Sequence, residues 1–250
     1  MNLSGKVAIV TGGSRGLGKA MAVELAREGA AVAVAARTEE SGQSRLPGTI
    51  HQTVKEIEDL GGKAIPVKCD VTKEEDVHKM VRRVSKLLGP IDILINNAGI
   101  GMPKSFVKLT TKNWDLVINV NLRGTFLCTK AVLPQMMERR SGNIINLSSV
   151  LATQIKYSVV YGASKAAIER LTLGLAAEVK KYHIAVNALR PDFTATEAVV
   201  LELPNVDTSK WQKPEMWGKY AALVAAQDAD SLTGRILDEP ALKKIFGPVL

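Results

Sequence analysis

Apolar positions alternate between two patterns along the chain. Short runs that are apolar on both faces, Val7-Ala8-Ile9-Val10 and Ala31-Val32-Ala33-Val34-Ala35, are separated by a segment with Leu17, Met21 and Leu25 at four-residue spacing that stops at Gly29. Runs without a polar face suit strands buried between two helix layers, the arrangement of a parallel sheet with crossover helices. The alternation continues with a helix bearing Ile50, Val54, Ile57 and Leu60, a third strand at Ala64-Ile65-Pro66-Val67, and Thr72-Lys73-Glu74-Glu75, which reads as a capping box. That box opens a helix carrying Val77, Met80, Val81, Val84 and Leu88, closed by Gly89-Pro90. Ile91-Asp92-Ile93-Leu94-Ile95 is a fourth strand, and further strands fall at Asn143 to Leu147, Ile184 to Leu189 and Arg235 to Asp238. About seven strands with helices between them predict an α/β, doubly wound parallel sheet in one domain over residues 1–250, with ligands at the carboxyl ends of the strands. The polar segment from Thr38 to Gly48 exceeds the usual connection of about two to six residues and reads as a surface insertion.

Between the first strand and the first helix stands Thr11-Gly12-Gly13-Ser14-Arg15-Gly16-Leu17-Gly18. Backbone amides and the helix dipole there can receive a pyrophosphate, and glycines allow the tight turn and close approach that a Cβ would block. The second strand ends Ala35-Ala36-Arg37, with no carboxylate to bond a ribose 2′-hydroxyl. Arg37, with Arg15 from the glycine loop, can instead give charge-assisted hydrogen bonds to a 2′-phosphate, which favours NADP(H).

Tyr161-Gly162-Ala163-Ser164-Lys165 places tyrosine and lysine at i and i+4, on one helix face. An unperturbed phenol titrates near pH ~10, too high for acid–base work at neutral pH, so a neighbouring ammonium is expected to lower it. The strand ending Leu147-Ser148-Ser149 delivers hydroxyls where a reacting carbonyl oxygen can be held. Asn96-Asn97-Ala98-Gly99 ends strand four, and Asn121 lies on the helix that follows.

With these residues in this order, the chain resembles the short-chain dehydrogenase/reductase family from Lys6 to about Asp238. Within the family it is most similar to the hydroxysteroid dehydrogenase-like branch, through Leu46-Pro47-Gly48-Thr49-Ile50, Ile184-Ala185-Val186-Asn187-Ala188-Leu189 and Ser231-Leu232-Thr233-Gly234. The resemblance implies a single Rossmann domain and an enzyme interconverting a ketone or aldehyde with an alcohol. Asn121, Ser149, Tyr161 and Lys165 would be catalytic. The cofactor would be held by Gly12, Ser14, Arg15, Gly16, Leu17, Gly18, Arg37, Asp70, Val71, Asn97, Ala98, Gly99, Tyr161, Lys165, Pro191, Thr194 and Thr196. Asp70 and Val71 would flank the adenine. A homotetramer or homodimer is also implied.

Three departures stand out: Pro191-Asp192 replaces the family's Pro-Gly, Ser149 precedes Tyr161 by 12 positions where many relatives have 13, and Asp238-Glu239-Pro240 replaces Asp-Gly-Gly. The spacing leaves Ser148 as a rival to Ser149. Alternatives to a ketoreductase are a catalytically silent NADP(H)-binding regulatory protein, an NAD(H)-preferring 3-hydroxyacyl dehydrogenase and an enoyl reductase. The substrate region spans Glu197 to Trp217, whose Leu201, Leu203, Trp211, Met216 and Trp217 could line a lid or pack a helix pair. An acyl thioester substrate is open, and Arg139-Arg140 could meet an acidic carrier or complement a helix dipole.

Composition excludes some classes. The +8 formal charge comes from cations scattered among acids, with no aromatic-plus-basic element, so no nucleic-acid partner is expected. No apolar stretch approaches the roughly 18 residues of a membrane span and the N-terminus lacks a signal pattern, so a cytoplasmic protein with no membrane partner is expected. Cys69 and Cys128 lack metal-ligand spacing and read as buried reduced thiols.

Overall fold

In a computed structural model that describes residues 2–155, 158–202 and 205–249, the strands are β1 (Val7–Thr11), β2 (Ala31–Ala36), β3 (Lys63–Lys68), β4 (Ile93–Asn96), β5 (Gly142–Leu147), β6 (Ile184–Leu189) and β7 (Ile236–Leu237). All pair in parallel, in the order β3-β2-β1-β4-β5-β6-β7. The helices are α1 (Gly16–Arg27), α2 (Ile50–Asp59), α3 (Glu74–Leu87), α4 (Thr111–Ile118), α5 (Gly124–Arg139), α6 (Val159–Val179), α7 (Glu197–Glu202), α8 (Pro214–Ala225) and α9 (Glu239–Phe246). The fold is the expected doubly wound α/β sheet. Every residue of β1, β4 and β6 is buried, because helices cover both faces of a parallel sheet. One core half joins α1 to α8 through Met21, Leu25, Trp217 and Tyr220. The other packs α3 and α5 under the opposite face through Met80, Val84, Val132 and Met136. Strand order reverses between β1 and β4, and the carboxyl ends of those two strands open the crevice in which such sheets bind ligands.

Local chemistry departs from the sequence reading at several points. Thr72 does not form a capping box: helix α3 begins at Glu74 with Lys73 as N-cap and no side-chain cap. Asp70 captures Thr72 instead, its Oδ1 accepting from both the Thr72 amide and hydroxyl at 3.1 and 2.8 Å. A true capping box opens α2, where Thr49 and Gln52 exchange bonds of 3.0 and 3.1 Å. The segment after β2 is more than a surface insertion. Arg15 donates to Ser44 Oγ, Thr38 Oγ1 and the Gly48 carbonyl at 2.9, 3.1 and 3.0 Å, folding it back over the glycine loop. A Cβ on Gly48 would lie 2.4 Å from the Ser14 carbonyl oxygen, so the two loops are in direct contact.

Helices α4 and α5 join through a π turn, Asn119–Arg123, into one 29-residue helix, Thr111–Arg139. Contrary to the sequence expectation, that helix is long and apolar enough to cross a membrane by length and composition. Its scattered polar residues hid this from a search for unbroken apolar runs. Half of its most apolar window is buried inside the fold, against α3, α6, β4 and β5.

Candidate active site

The glycine loop is shaped by backbone proximity. Gly12 has φ +66°, and a Cβ there would sit 2.9 Å from Ala98 Cα; one on Gly18 would meet the Gly12 carbonyl oxygen at 2.2 Å. Asn97 fixes this turn to β4, its Nδ2 donating to the Thr11 and Gly12 carbonyls at 2.9 and 3.1 Å. In return the Thr11 hydroxyl accepts from the Asn97 and Ala98 amides. Two cavities meet over this floor. One, of 230 Å³, is lined by Ser14, Ala36, Arg37, Asp70 and Val71; the other, of 420 Å³, reaches Ser149, Tyr161, Lys165, Pro191, Thr194 and Thr196. Gly12, Arg15, Ala98 and Gly99 line both. A cradle that side chains would fill, continuous from Asp70 to Tyr161, fits a dinucleotide. Within it the Glu197 carboxylate accepts from the Gly16 amide at 2.9 Å, a contact between residues 181 positions apart that no local pattern announces.

Four polar side chains converge in the larger cavity or directly beneath it. Lys165, buried on α6, donates from Nζ to the Leu147 carbonyl at 2.6 Å, and that nitrogen lies 5.5 Å from the Tyr161 ring centroid. Burial pulls its pKa from 10.5 down to about 8. Tyr161 differs from the sequence expectation. Burial raises its pKa above the ordinary phenol value, opposed by a hydrogen bond from the Ser149 hydroxyl that lowers it. Desolvation is the larger influence on the phenol, and Lys165 Nζ donates to the Leu147 carbonyl. Asn121 sits in the π turn, where the extra residue widens the helix. Its Oδ1 accepts from the Ile100 amide at 2.8 Å, and its Nδ2 donates to the Ile100 carbonyl and Ser164 Oγ at 3.1 and 3.0 Å. Ser164 in turn donates to the Tyr161 carbonyl at 2.7 Å, coupling Asn121 to the helix turn that carries Tyr161.

The two serines are separated by environment. Ser148 is buried and donates to Glu169 Oε1 at 2.6 Å, whereas Ser149 reaches Tyr161 and begins a short helical turn, Val150–Ala152. Arg37 is exposed on the rim of the smaller cavity. Arg15 has three N–H bonds committed to the loop after β2, and burial lowers its pKa against an opposing influence from Glu197.

Asp192 folds into a local turn. Its Oδ1 accepts from the Phe193 amide at 2.7 Å and its carbonyl from Thr194 Oγ1 at 2.8 Å. Gln212 holds this segment, accepting from the Asp192 amide and from Trp217 Nε1, both at 3.0 Å. Trp211 stacks obliquely on Phe193, ring centroids 5.2 Å apart, and both line the larger cavity. Met216 and Trp217 are core residues, Trp217 wholly buried, so they pack α8 and form no lid. Leu201 is exposed, and Leu203 lies outside the described residues. Arg139 bonds Asp92 Oδ1 at 2.9 Å and the Ile91 carbonyl, so it ties α5 to the sheet. Asp238 caps α9 by accepting from the Ala241 amide at 3.0 Å. Both cysteines are free and buried, with thiol pKa values pushed up, that of Cys69 to about 12. Among the described residues no cluster of metal ligands occurs.

A doubly wound sheet with a glycine-rich first turn and a tyrosine–lysine pair at the crevice defines a dinucleotide-binding oxidoreductase. The chain matches the short chain dehydrogenase family over residues 6–205 and belongs to it. It is 34% identical over 246 residues to the 3-oxoacyl-[acyl-carrier-protein] reductase of Thermotoga maritima, covering 95% of this chain and 97% of that protein. It is 36% identical over 249 residues to human hydroxysteroid dehydrogenase-like protein 2, covering 97% of this chain and 58% of that longer protein. Among solved structures, a short chain dehydrogenase from Mycobacterium thermoresistibile superposes with TM-score 0.88 at 32% identity, covering 98% of this chain and 89% of that one. A short-chain type dehydrogenase/reductase from Mycobacterium marinum gives 0.83 at 31%, covering 96% of each. The protein is thus an oxidoreductase of a family that typically uses a nicotinamide cofactor.

Proposed function

We propose that the protein is an NADP(H)-dependent carbonyl reductase and alcohol dehydrogenase. The observation that carries this is that Ser149, Tyr161 and Lys165, the last two one helix turn apart, line a single cavity continuous with the glycine-loop crevice. Gly12, Ser14, Gly16, Leu17, Gly18, Asp70, Val71 and Asn97 to Gly99 would hold the dinucleotide, with Pro191, Thr194 and Thr196 beside its nicotinamide end. When bound, the nicotinamide supplies or accepts a hydride. Tyr161 gives a proton to the carbonyl oxygen in reduction and takes it back in oxidation. Ser149 donates to the same oxygen as negative charge develops. Asn121, anchored to Ile100 and Ser164, fixes the helix turn that presents Tyr161. Ile100, Leu151, Phe193 and Trp211 line the substrate side, which favours a ketone or aldehyde with an apolar body, an acyl thioester among them. The family resemblance also supports a homodimer or homotetramer, which sedimentation would check; a cytoplasmic location is a separate proposal for cell fractionation to test.

The test is a screen of ketones, aldehydes and β-ketoacyl thioesters with NADPH and NADH, followed by absorbance of the reduced cofactor. Cofactor binding with no turnover across the panel would sink the reading in favour of a silent binding protein.

The 2′-phosphate preference rests on Arg37. Losing one charge-assisted hydrogen bond removes roughly 1.5–3 kcal/mol, or about 10–100-fold in affinity. Arg37→Ala is therefore expected to weaken NADPH by that factor in a fluorescence titration and to leave NADH nearly unchanged. Equal weakening of both would show that Arg37 serves the fold and not the phosphate.

A further inference from the structure

We propose that the Glu169–Arg190 ion pair, acting through Ser148, is a positioning device that sets Ser149 against Tyr161; the proposal rests on the carbonyl chemistry assigned above. Glu169 follows Lys165 by one turn of α6 and Tyr161 by two, so it shares their face. Its carboxylate accepts from Ser148 Oγ at 2.6 Å and, bidentately, from Arg190 Nε and Nη2 at 2.8 and 2.7 Å. Ser148 and Glu169 are 4% and 8% exposed, so the charges sit where an ion pair gives little net stability compared with apolar side chains of the same shape. Its value lies in what it joins.

Each of the last three positions approaching Ser149 is tied to α6. Asn146 Nδ2 donates to Thr172 Oγ1 at 2.9 Å, the Leu147 carbonyl accepts from Lys165, and Ser148 donates to Glu169. The first is a neutral bond deep in the core, whereas the last is charge-assisted and adjoins the reacting hydroxyls. Arg190 extends the same contact to the end of β6, directly before Pro191 and Asp192. Glu169 thereby joins the strand end that carries Ser149, the helix that carries Tyr161 and Lys165, and the segment beside the nicotinamide end. The distance between the two reacting hydroxyls depends on how β5 sits against α6, and the Ser148–Glu169 bond fixes it at the residue adjacent to Ser149. The adjacent serines thus divide the work: Ser149 meets the substrate and Ser148 holds Ser149 in place.

The experiment is a double-mutant cycle on the full chain with Ser148→Ala, Ser149→Ala and both. Misplacing a reacting group by a fraction of an ångström can cost about 10-fold in rate. Ser148→Ala is therefore expected to lower kcat by that factor with the carbonyl KM and NADPH affinity nearly unchanged, and Ser148→Thr to restore most of it. The double variant should be no slower than Ser149→Ala alone, because Ser148 acts through Ser149. Full kcat in Ser148→Ala, or two losses that multiply, would overturn the proposal. Absence of turnover in the unaltered protein would instead defeat the carbonyl reading and leave the positioning measurable by ultraviolet difference titration against Tyr161→Phe. The titratable group facing the Tyr161 ring is Lys165, which Ser148→Ala leaves in place and which has already lost its proton, at about pH 8, before the phenol ionises. Loss of the Ser149 bond that lowers the Tyr161 pKa should move its ionisation to higher pH, and an unmoved midpoint would refute the device.

Discussion

Tyr161→Phe is expected to lower carbonyl reduction on the order of 10²–10⁴-fold, the usual contribution of a positioned general acid, while NADPH affinity stays within about threefold because the removed hydroxyl adds little to ground-state binding. The phenol is held protonated by burial, which outweighs the Ser149 hydrogen bond. It is therefore in the state needed to give a proton at neutral pH. Reduction should be flat with pH up to about 8, where Lys165 begins to lose its charge, and fall further as Tyr161 ionises above the ordinary phenol value. Alcohol oxidation, which needs the tyrosinate, should climb over the same range. Steady-state rates in both directions, from neutral pH to beyond the ordinary phenol value of about 10, check this. Retention of full reductase activity by the phenylalanine variant would remove Tyr161 from the chemistry altogether.

The strands along the chain and the end of the sheet that binds ligands were legible because burial on both faces leaves an unmistakable run, as in Val7–Thr11 and Ile184–Leu189. Strand β7 was harder. Only Ile236 and Leu237 pair with β6, too few for alternation or continuity to register. Chemistry decided by competition between neighbours was not legible either. Thr72 has the residues of a capping box, yet Asp70 two positions earlier wins its hydroxyl, and no spacing rule ranks those two partners.

The site shows the same division. Tyr161 and Lys165 share a helix face by spacing alone, and the glycine turn follows from its place after β1. The Ser148–Glu169–Arg190 contact joins three separate elements, so no local pattern announces it. Nor could the sequence separate a lid from a core at residues 197–217. Both need apolar side chains, and only packing shows that Trp217 is enclosed by the fold while Trp211 lines the cavity. The direction of the Tyr161 shift was misjudged for a related reason: spacing reveals a nearby ammonium but not how far the phenol is desolvated.

Lys165→Met is expected to abolish turnover and yet to stabilise the cofactor-free protein at neutral pH. Burial lowers the lysine pKa from 10.5 to about 8. Between those values the unfolded chain holds a proton that the folded chain has released, so this group makes stability rise with pH from about 8 to 10.5. Below pH 8 both states are protonated and the whole cost of the buried ammonium applies, roughly 3 kcal/mol at about 1.4 kcal/mol per pH unit. Methionine removes that cost but leaves the Leu147 carbonyl without its Nζ donor, which returns about 1–2 kcal/mol. The net gain at pH 7 is about 1–2 kcal/mol, a rise of a few degrees in Tm for a chain of this size. At pH 10.5 the lysine is neutral in the folded protein and the gain should vanish or reverse. Thermal melts of both proteins at pH 7 and near pH 10 therefore read the buried charge directly, and a variant less stable than its parent at pH 7 would show that Lys165 is held as a favourable contact. Activity separates the two roles: lost catalysis with raised stability marks a residue kept for its charge at the site and not for the fold.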